Sequence, residues 1–428
     1  MAKILKKDYE VVFAGFESFE KYVTSQGFIF YPLKTVPFGL GFEKWVNEQE
    51  KRNNVYLQCI LDRWSDRLYR LREKELHQLM DDLTPAYLLI DSYQSTDFIV
   101  LYSDLKKYSI KTGFIQTTLP ATANKNCPPL NSDISPDDLN GIKKAHKNFN
   151  FNLFKEKLKQ KLIFFGMDDT TIIRRRIKRN KIPDQYHSSE KIWRGIAFSD
   201  IDELILTPKE FDFEHNGRTG NHYVGFMPDL HRMEISDTTY FKIDQPIRNK
   251  LKETQGTLLY CSFGTIKQDE TKTISDFLLK LMNAVRSQNC ILIISANAID
   301  SQINFKDQPE NVFILRAAPQ LEILQRADVF IHHGGINSIK ESIYACVPML
   351  VYPFGVNTDR IGNASRVVYH QLGLQGDLQK DNVDDITQKL AELINNEMYK
   401  EKIATLREQD IQYEGEFLRR FKDLKSVI

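Results

Sequence analysis

The sequence predicts an α/β protein of two domains with a cleft between them. Short apolar segments alternate with amphipathic segments along the whole chain, a pattern typical of parallel βαβ units. The chain has 428 residues, more than a single hydrophobic core usually supports. Ligands of open α/β sheets bind beyond the carboxyl ends of the strands. We therefore expect the functional site at strand ends that face the cleft.

In the first half of the chain, four apolar segments have the length of buried strands, at residues 9–14, 27–31, 86–91 and 111–117. Residues 63–82 and 96–108 have helical spacing of their apolar side chains. Residues 119–137 are rich in Pro, Asn, Ser and Thr, which predicts a long surface loop. The polar residues 231–254 contain Pro246 and fit neither period, so we predict an interdomain linker there.

The second half contains five further candidate strands, at residues 257–262, 290–295, 312–315, 329–332 and 349–352. Helical patterns follow them, most clearly at residues 271–287, 320–326 and 338–345. We expect a first domain at residues 1–235, a linker at 236–254 and a second domain at 255–412. The last segment, 413–428, has helical spacing, and we expect it to pack back on the first domain.

Composition excludes several classes of protein. The net charge of +1 gives no global electrostatic argument for a nucleic-acid partner. The five cysteines are scattered and never form a Cys-x-x-Cys pair, which predicts a reducing compartment, no disulfide and no zinc site. No apolar run has the length of a membrane span, and the N-terminus lacks the features of a secretory signal. We expect a cytoplasmic protein.

Residues 327–348, ADVFIHHGGINSIKESIYACVP, carry the most specific chemistry. An apolar strand ends at two histidines, two glycines allow close backbone approach, and Asn337 or Ser338 is predicted to begin a helix. Such a turn presents unpaired backbone N–H groups at the positive end of a helix, which suits a pyrophosphate. His333 can donate to phosphate oxygens. Glu341 lies one helical turn after Asn337, where its carboxylate can accept hydrogen bonds from ribose hydroxyls.

A purely structural interpretation of this segment remains open. Ser338 and Glu341 also match a capping box, in which both side chains would only complete the helix end. A glycine pair after a strand is common in α/β folds. The P-loop pattern, the G-x-G-x-x-G pattern and the H-E-x-x-H pattern do not occur in the sequence.

The segment and its neighbours resemble the donor-binding signature of the UDP-glycosyltransferase superfamily, on residues Ala318 to Leu324, His333 to Ser338, Glu341, Val347, Pro348, Pro353, Asp359, Asn363 and Ala364. Residues 260–265, YCSFGT, resemble the first strand and turn of the family's C-terminal domain. The resemblance implies two facing Rossmann-like domains, the glycosyltransferase B-type fold. It implies a nucleotide-sugar co-substrate in the second domain, a small-molecule acceptor in the first, and neither metal nor cofactor.

The resemblance also implies roles for single residues. The donor pyrophosphate would be held by Gly264, Thr265, His333, Gly334, Gly335, Asn337 and Ser338. Glu341 would bind the ribose, and Ala318 and Gln320 would border the base. Asp359 and Arg360 would contact the sugar. Many relatives have Asp-Gln at this doublet, and because arginine cannot accept a hydrogen bond, the departure affects the identity of the sugar.

The catalytic base expected from the family is missing. Relatives carry a histidine in the loop after their first strand, whereas this sequence has no histidine before His77. We expect the family's first strand and base-bearing loop to be absent from the chain. Asp91, at a predicted strand end, resembles the carboxylate that orients the base; the alternative is an ordinary helix N-cap. We interpret His77 as a helix-surface residue and His332 as a packing residue.

Three functions follow as alternatives. The first is an inverting, metal-independent transfer of a hexose from a nucleotide diphosphate sugar, UDP by default, to a small apolar acceptor. The second is a non-catalytic nucleotide-sugar or aglycone binder, and the third is a nucleotide-sugar 2-epimerase. The basic run at residues 174–181 is interpreted as a solvated helix face or as a docking patch for an anionic membrane that supplies a lipid-like acceptor.

Overall fold

A computed structural model of the protein describes residues 1–120, 122, 124–188, 195–214, 220–232, 234, 238–264, 271–295, 307–355 and 358–427. Its strands are β1 (Val12–Phe16), β2 (Ile29–Leu33), β3 (Tyr87–Asp91), β4 (Lys111–Gln116), β5 (Glu203–Ile205), β6 (Asn221–Tyr223), β7 (Thr257–Ser262), β8 (Cys290–Ser295), β9 (Val312–Leu315), β10 (Val329–His332), β11 (Met349–Val351) and β12 (Gly373–Gln375).

The α-helices of the first half are α1 (Ala2–Leu5), α2 (Glu20–Ser25), α3 (Glu43–Gln49), α4 (Val55–Trp64), α5 (Arg67–Leu83), α6 (Asp97–Lys107), α7 (Leu139–Ile163) and α8 (Asp169–Arg179). Those of the second half are α9 (Thr238–Thr254), α10 (Thr271–Val285), α11 (Gln320–Leu324), α12 (Ile336–Ala345), α13 (Arg360–Tyr369), α14 (Val383–Asn395), α15 (Met398–Ile411) and α16 (Glu416–Lys422).

All strand pairs of the three sheets are parallel, which confirms the α/β class. The sheets have the orders β1-β2, β3-β4-β5-β6 and β12-β11-β10-β7-β8-β9. The predicted strands of the second half agree with β7 to β11 within one residue, because their continuous apolar runs are buried on both faces by helices. Strands β5, β6 and β12, of three residues each, were not expected from the sequence.

Three segments differ from the sequence-based expectations. The predicted helix at residues 63–82 is divided between α4 and α5 by Asp66, which has a left-handed φ of +54°. Residues 238–254, expected as a linker without regular structure, form α9. Tyr240, Ile243, Ile247 and Leu251 have helical spacing and pack under β7 and β8, so tertiary burial stabilises a helix despite Pro246. No helix was expected at α7, which buries a single side chain, Ile142. At α8 only a helix face at residues 174–181 was expected, and the helix covers Asp169–Arg179.

The basic run at residues 174–181 lies at the end of α8 and just beyond it. Arg175, Arg176 and Arg179 all donate to the carboxylate of Asp66, which is itself buried. The guanidinium carbon of Arg176 also lies 3.6 Å from the centre of the Tyr69 ring. Three of the six cations of the run therefore fix α8 against the start of α5, and the membrane-docking interpretation stays a prediction.

The two halves of the chain meet in a buried interface. Arg366 on α13 donates to Asp212 at distances of 2.6 and 2.8 Å, and both side chains are buried. Phe211 and Phe226 pack with side chains of α12 and α13. The backbone of Leu130, in the loop 119–137, lies so close to Gly362 that a side chain at that glycine would collide with it. This loop therefore lies against the second half of the chain.

The C-terminal segment lies against the β3-β4-β5-β6 sheet. Phe417, Phe421 and Leu424 pack in one cluster with Leu204 of β5. The amide of Thr112 on β4 donates to the carbonyl of Lys425 at 3.0 Å. The chain thus crosses between its two halves a second time at its end.

Candidate functional site: a strand-end turn with a buried imidazole

The order of strands in the six-stranded sheet defines where a ligand would bind. Strands β7, β8 and β9 follow one another toward one edge, while β10, β11 and β12 follow one another toward the other. The chain order reverses between the neighbours β7 and β10, whose ends Ser262 and His332 are in register. At such a switch point the loops after the two strands diverge and leave a crevice. The loops here begin at Phe263 and at His333.

The imidazole of His333 is enclosed by glycines from both loops. A side chain at Gly264 would lie 3.0 Å from its Cε1 atom, and one at Gly335 would lie 2.8 Å from its Nε2 atom. The Nδ1 atom of His333 is buried and has no hydrogen-bond partner among the residues that the structure describes. Burial, helped by the positive charge of Arg360, lowers the pKa of His333 to about 3. The ring is therefore neutral at physiological pH and keeps an unused polar atom beside the crevice.

His332 and Asn363 hold the backbone of the turn. The amide of Gly334 donates to Nδ1 of His332 at 3.1 Å, and the His332 ring is fully buried beside Phe330. The amide nitrogen of Asn363 donates to the carbonyl of Gly334 at 3.0 Å. Gly334 has φ +85°, a conformation that favours glycine. Packing of His332, as the sequence analysis proposed, thus fixes the turn.

Helix α12 begins with uncapped amides directed toward this crevice. Gly335 is its N-cap residue, and no side chain in the described part of the chain caps the helix. The prediction that Asn337 or Ser338 begins the helix is wrong by one or two residues, since α12 begins at Ile336. Ser338 therefore lies inside the first turn, where it cannot cap, and the capping-box interpretation is also wrong. The first amides of α12 remain available to an anion.

Glu341 lies one turn further along α12 and is buried between two donors. Arg232 donates to both of its carboxylate oxygens. The side-chain amide of Gln320 donates to Oε2 at 2.7 Å. Arg232 also pairs with Glu234, whose other oxygen accepts from the backbone amide of Leu321 at 2.8 Å. Arg232 and Glu234 therefore link the carboxylate of Glu341 to the first residues of α11.

The residues expected around the sugar lie at the start of α13. Asp359 is the N-cap residue of α13, and its Oδ2 accepts from Asn363 at 3.0 Å. The guanidinium of Arg360 lies 4.8 Å from the centre of the Phe354 ring. Its charge is close enough to depress the pKa of His333. Asp359 and Arg360 are thus next to the turn, on its α13 side.

The structure describes only some of the other residues that were expected to bind the nucleotide-sugar donor. Ala318, expected at the base, packs against the cluster around Tyr240 and Leu315. Gln320 uses its amide on Glu341. Thr265, expected at the pyrophosphate, lies outside the described residues.

Asp91 lies at the carboxyl end of β3, where its carboxylate accepts from the amide of Tyr93 at 2.8 Å and caps a short 3-10 turn. Burial raises the pKa of Asp91. No histidine in the described part of the chain hydrogen-bonds to it. His77 instead contacts Asp104 across α5 and α6. The geometry that the structure gives Asp91 is that of the N-cap alternative.

Sequence reasoning missed two residues that organise the site. Asn363 occurs in the recognised signature, yet its tie to the Gly334 carbonyl depends on how α13 packs. Arg232 lies in a polar segment without any period, and nothing in the local sequence connects it with Glu341.

Comparisons with known proteins agree with this geometry. Residues 306–410 match the family model described as UDP-glucoronosyl and UDP-glucosyl transferase. An uncharacterized UDP-glucosyltransferase of Bacillus subtilis, YdhE, is 32% identical over 158 residues, 37% of this chain and 38% of that protein. The NDP-glycosyltransferase YjiC of the same species is 30% identical over 39% of this chain and 40% of that protein. The chain thus spans about two fifths of the length of these relatives.

Solved structures extend the similarity of fold over nearly the whole chain. The glycosyltransferase of kitacinnamycin has a TM-score of 0.66 at 16% identity and covers 98% of this chain, which in turn covers 93% of that one. The calicheamicin glycosyltransferase CalG4 has a TM-score of 0.61 at 13% identity, with coverages of 98% and 92%. The fold is therefore that of a two-domain glycosyltransferase B-type protein. Residues 306–410 thus resemble the UDP-glucosyltransferase family in sequence, while the solved structures show the fold of the chain.

Among the described residues, no helix combines the length and the apolar character required to cross a bilayer.

Proposed function

We propose that the protein transfers a hexose from a nucleotide diphosphate sugar to a hydroxyl group of a small acceptor. The observation that carries the proposal is the crevice between β7 and β10. There α12 begins with amides that no described side chain caps, and His333, next to the end of β10, has a buried Nδ1 without a partner among the described residues. Fixed backbone amide donors suit the charge that develops on a leaving diphosphate.

Each residue of the site has a proposed task. The glycines at 264, 334 and 335 let the pyrophosphate approach the backbone, and Asn337 and Ser338 add polar groups at the first turn of α12. Glu341 binds the ribose hydroxyls, with Arg232 and Gln320 holding its carboxylate in place. Asp359 accepts from the hydroxyls of the sugar. The cation of Arg360, which already acts on His333, adds positive potential for the diphosphate.

The reaction would be a single in-line displacement with inversion. The acceptor oxygen forms a bond to the anomeric carbon while the bond from that carbon to the diphosphate oxygen breaks. The electron pair leaves with the diphosphate, and the hydroxyl proton passes to a base. We assign the role of this base to Asp91, because its raised pKa favours uptake of a proton by the carboxylate.

The acceptor is proposed to be apolar. The loop 119–137 follows β4, and Leu119 and Leu130 pack with side chains of α12 and α13. Phe42 and Trp45, in the other loop region assigned to the acceptor, are exposed. An apolar acceptor with a hydroxyl group would be desolvated by such a lining.

The test is a transfer assay with UDP-glucose and TDP-glucose against a panel of phenols and hydroxylated terpenoids, with products detected by mass spectrometry. We expect a glycosylated product, and Asp91→Asn should lower kcat by about 10²-fold or more while leaving UDP affinity unchanged. Ser92→Ala, at the neighbouring residue, is the matched control. A product formed equally well by the Asp91 variant would contradict its role.

A non-catalytic binder is the second candidate, favoured by the absence of any described imidazole at Asp91. In that case UDP and UDP-glucose bind, measured by calorimetry, while no acceptor in the panel is glycosylated. Failure of both nucleotides to bind would refute the transferase and the binder together.

A further inference from the structure

Helix α7 exposes an apolar stripe to solvent. Phe151, Phe154, Leu158 and Leu162 are 55%, 61%, 47% and 72% exposed. Their spacing of three, four and four residues places them on one face of the helix. The inner face is only partly covered, with Ile142 as the one buried side chain of α7. A folded protein does not normally leave such a row of large apolar side chains in water.

Lysines border this stripe on both sides. At 3.6 residues per turn, Lys155 and Lys159 lie on one side of it and Lys157 and Lys161 on the other. The helix carries seven lysines against a single acidic residue, Glu156. None of the seven has an ion-pair partner within the part of the chain that the structure describes. The helix is thus strongly cationic, with Glu156 as its single acidic side chain.

The apolar surface continues beyond α7. Phe165, just after the helix, is 68% exposed. The hydroxyl of Tyr56 on α4 donates to the carbonyl of Ile163 at 2.8 Å, which joins α4 to the end of α7. On α4, Leu61 and Trp64 are also about half exposed, at 49% and 52%. Helix α4, which also exposes apolar side chains, therefore adjoins the end of α7.

We infer that α7 lies on an anionic membrane surface, with its apolar stripe in the headgroup region and its lysines on lipid phosphates. Helices that bind at bilayer interfaces have this combination of a Phe/Leu face and flanking lysines. A second copy of the chain fits poorly, since it would bring one row of lysines against another. The assignment is independent of the proposed sugar transfer. It also concerns a different surface from the run 174–181, of which Arg175, Arg176 and Arg179 are bound to Asp66.

The test is co-sedimentation of the full chain with vesicles of phosphatidylcholine containing about one-third phosphatidylglycerol. The set Lys155→Glu, Lys159→Glu and Lys161→Glu should weaken binding by at least about 10²-fold, since each lysine near an anionic surface contributes about 1 kcal/mol. The set Phe151→Ser, Phe154→Ser and Leu158→Ser should weaken it by more than about tenfold. Raising the salt concentration should release the unchanged protein.

Matched control sets carry the same changes on exposed helix positions of the second half, Lys252→Glu, Lys272→Glu and Lys402→Glu, and Phe241→Ser, Leu279→Ser and Ile411→Ser. They should bind vesicles like the unchanged protein. Equal losses in the control sets, or equal binding to vesicles of pure phosphatidylcholine, would overturn the inference. So would a lipid-free dimer, seen by sedimentation velocity, that only the α7 variants dissociate. Circular dichroism and UDP binding check that each variant is folded.

Discussion

His333 illustrates how a single buried side chain can define a ligand site. The imidazole is desolvated between two glycines, and this is why its pKa falls to about 3. A buried polar atom without a partner is costly unless a ligand supplies one. The unpartnered Nδ1 therefore favours a ligand over a structural role for this side chain.

We predict that His333→Ala weakens the binding of nucleoside diphosphates by about 1.5–3 kcal/mol, the range for a hydrogen bond to a charged group. Calorimetry with UDP and TDP measures the change. His222→Ala is the control, because His222 contacts Asp202 in the first half of the chain, away from the crevice. Unchanged affinity for both nucleotides in the His333 variant would remove the residue from the phosphate site.

Glu341 has a structural partner as well as a proposed ligand, so stability alone does not separate its two roles. Loss of its carboxylate leaves Arg232 unpaired at that position and should lower stability whether or not ribose binds there. A change in the ligand separates the roles better than a change in stability.

We predict that the unchanged protein prefers UDP to 2′-deoxy-UDP, and that Glu341→Ala removes this preference. A hydrogen bond from the ribose hydroxyl to a carboxylate contributes about 1.5–3 kcal/mol, and only this contribution disappears in the variant. Calorimetry of both nucleotides on both proteins gives the coupling energy. If the preference persists in the variant, Glu341 does not bind the ribose, and its carboxylate serves only Arg232 and Gln320.

At the scale of an element, the turn from β10 to α12 depends on both conformation and packing. Gly334 combines a left-handed φ with close contacts, since a side chain there would lie 2.8 Å from the carbonyl oxygen of Arg360. Gly41 has a similar φ of +80°, and a side chain there would meet nothing within 4 Å. The two glycines differ only in what surrounds them.

We predict that Gly41→Ala lowers the free energy of unfolding by about 1–2 kcal/mol, the conformational cost alone. Gly334→Ala should cost more, because α13 must also move, and it should weaken UDP binding at least about tenfold. Urea denaturation and calorimetry measure the two effects. Equal destabilisation by both substitutions would show that α13 can move away from residue 334 without a loss in the free energy of unfolding.

At the scale of the whole molecule, the structure couples the two halves by buried polar contacts as well as apolar ones. The pair Arg366–Asp212 lies in this interface, and Tyr223 donates to the second oxygen of Asp212 at 3.0 Å. A buried charge without its partner is strongly destabilising. The relative placement of the halves, and hence of Asp91 and the β7–β10 crevice, depends on this interface.

Stability should depend on pH through the buried histidines. Burial lowers the pKa of His333 to about 3 and that of His332 well below 6.5. Above pH 6.5 both are neutral whether the chain is folded or unfolded. Below it the unfolded chain binds more protons, so stability should fall as the pH falls toward 3, by about 1.4 kcal/mol per pH unit for each histidine. His333→Gln should reduce the slope by about one proton, measured by urea denaturation at several pH values. An unchanged slope would contradict the buried, neutral imidazole.

The sequence by itself determined the α/β class, the strands β7 to β11 and the segment that we propose as the donor site. These features are local, because a continuous apolar run between turn residues predicts a buried strand, and the glycines after His333 predict a close backbone approach. The helix at Pro246 and the division at Asp66 were missed, since packing there outweighs local propensity.

Only the tertiary structure decided which distant residues share a contact. It paired Arg232 with Glu341, tied Asn363 to the Gly334 carbonyl and bound the arginines of α8 to Asp66. It also showed that the apolar residues of α7 face solvent, which helical spacing cannot distinguish from a face directed at the core. The physical reason is that periodicity defines the faces of an element, whereas the neighbours of each face depend on how the elements pack.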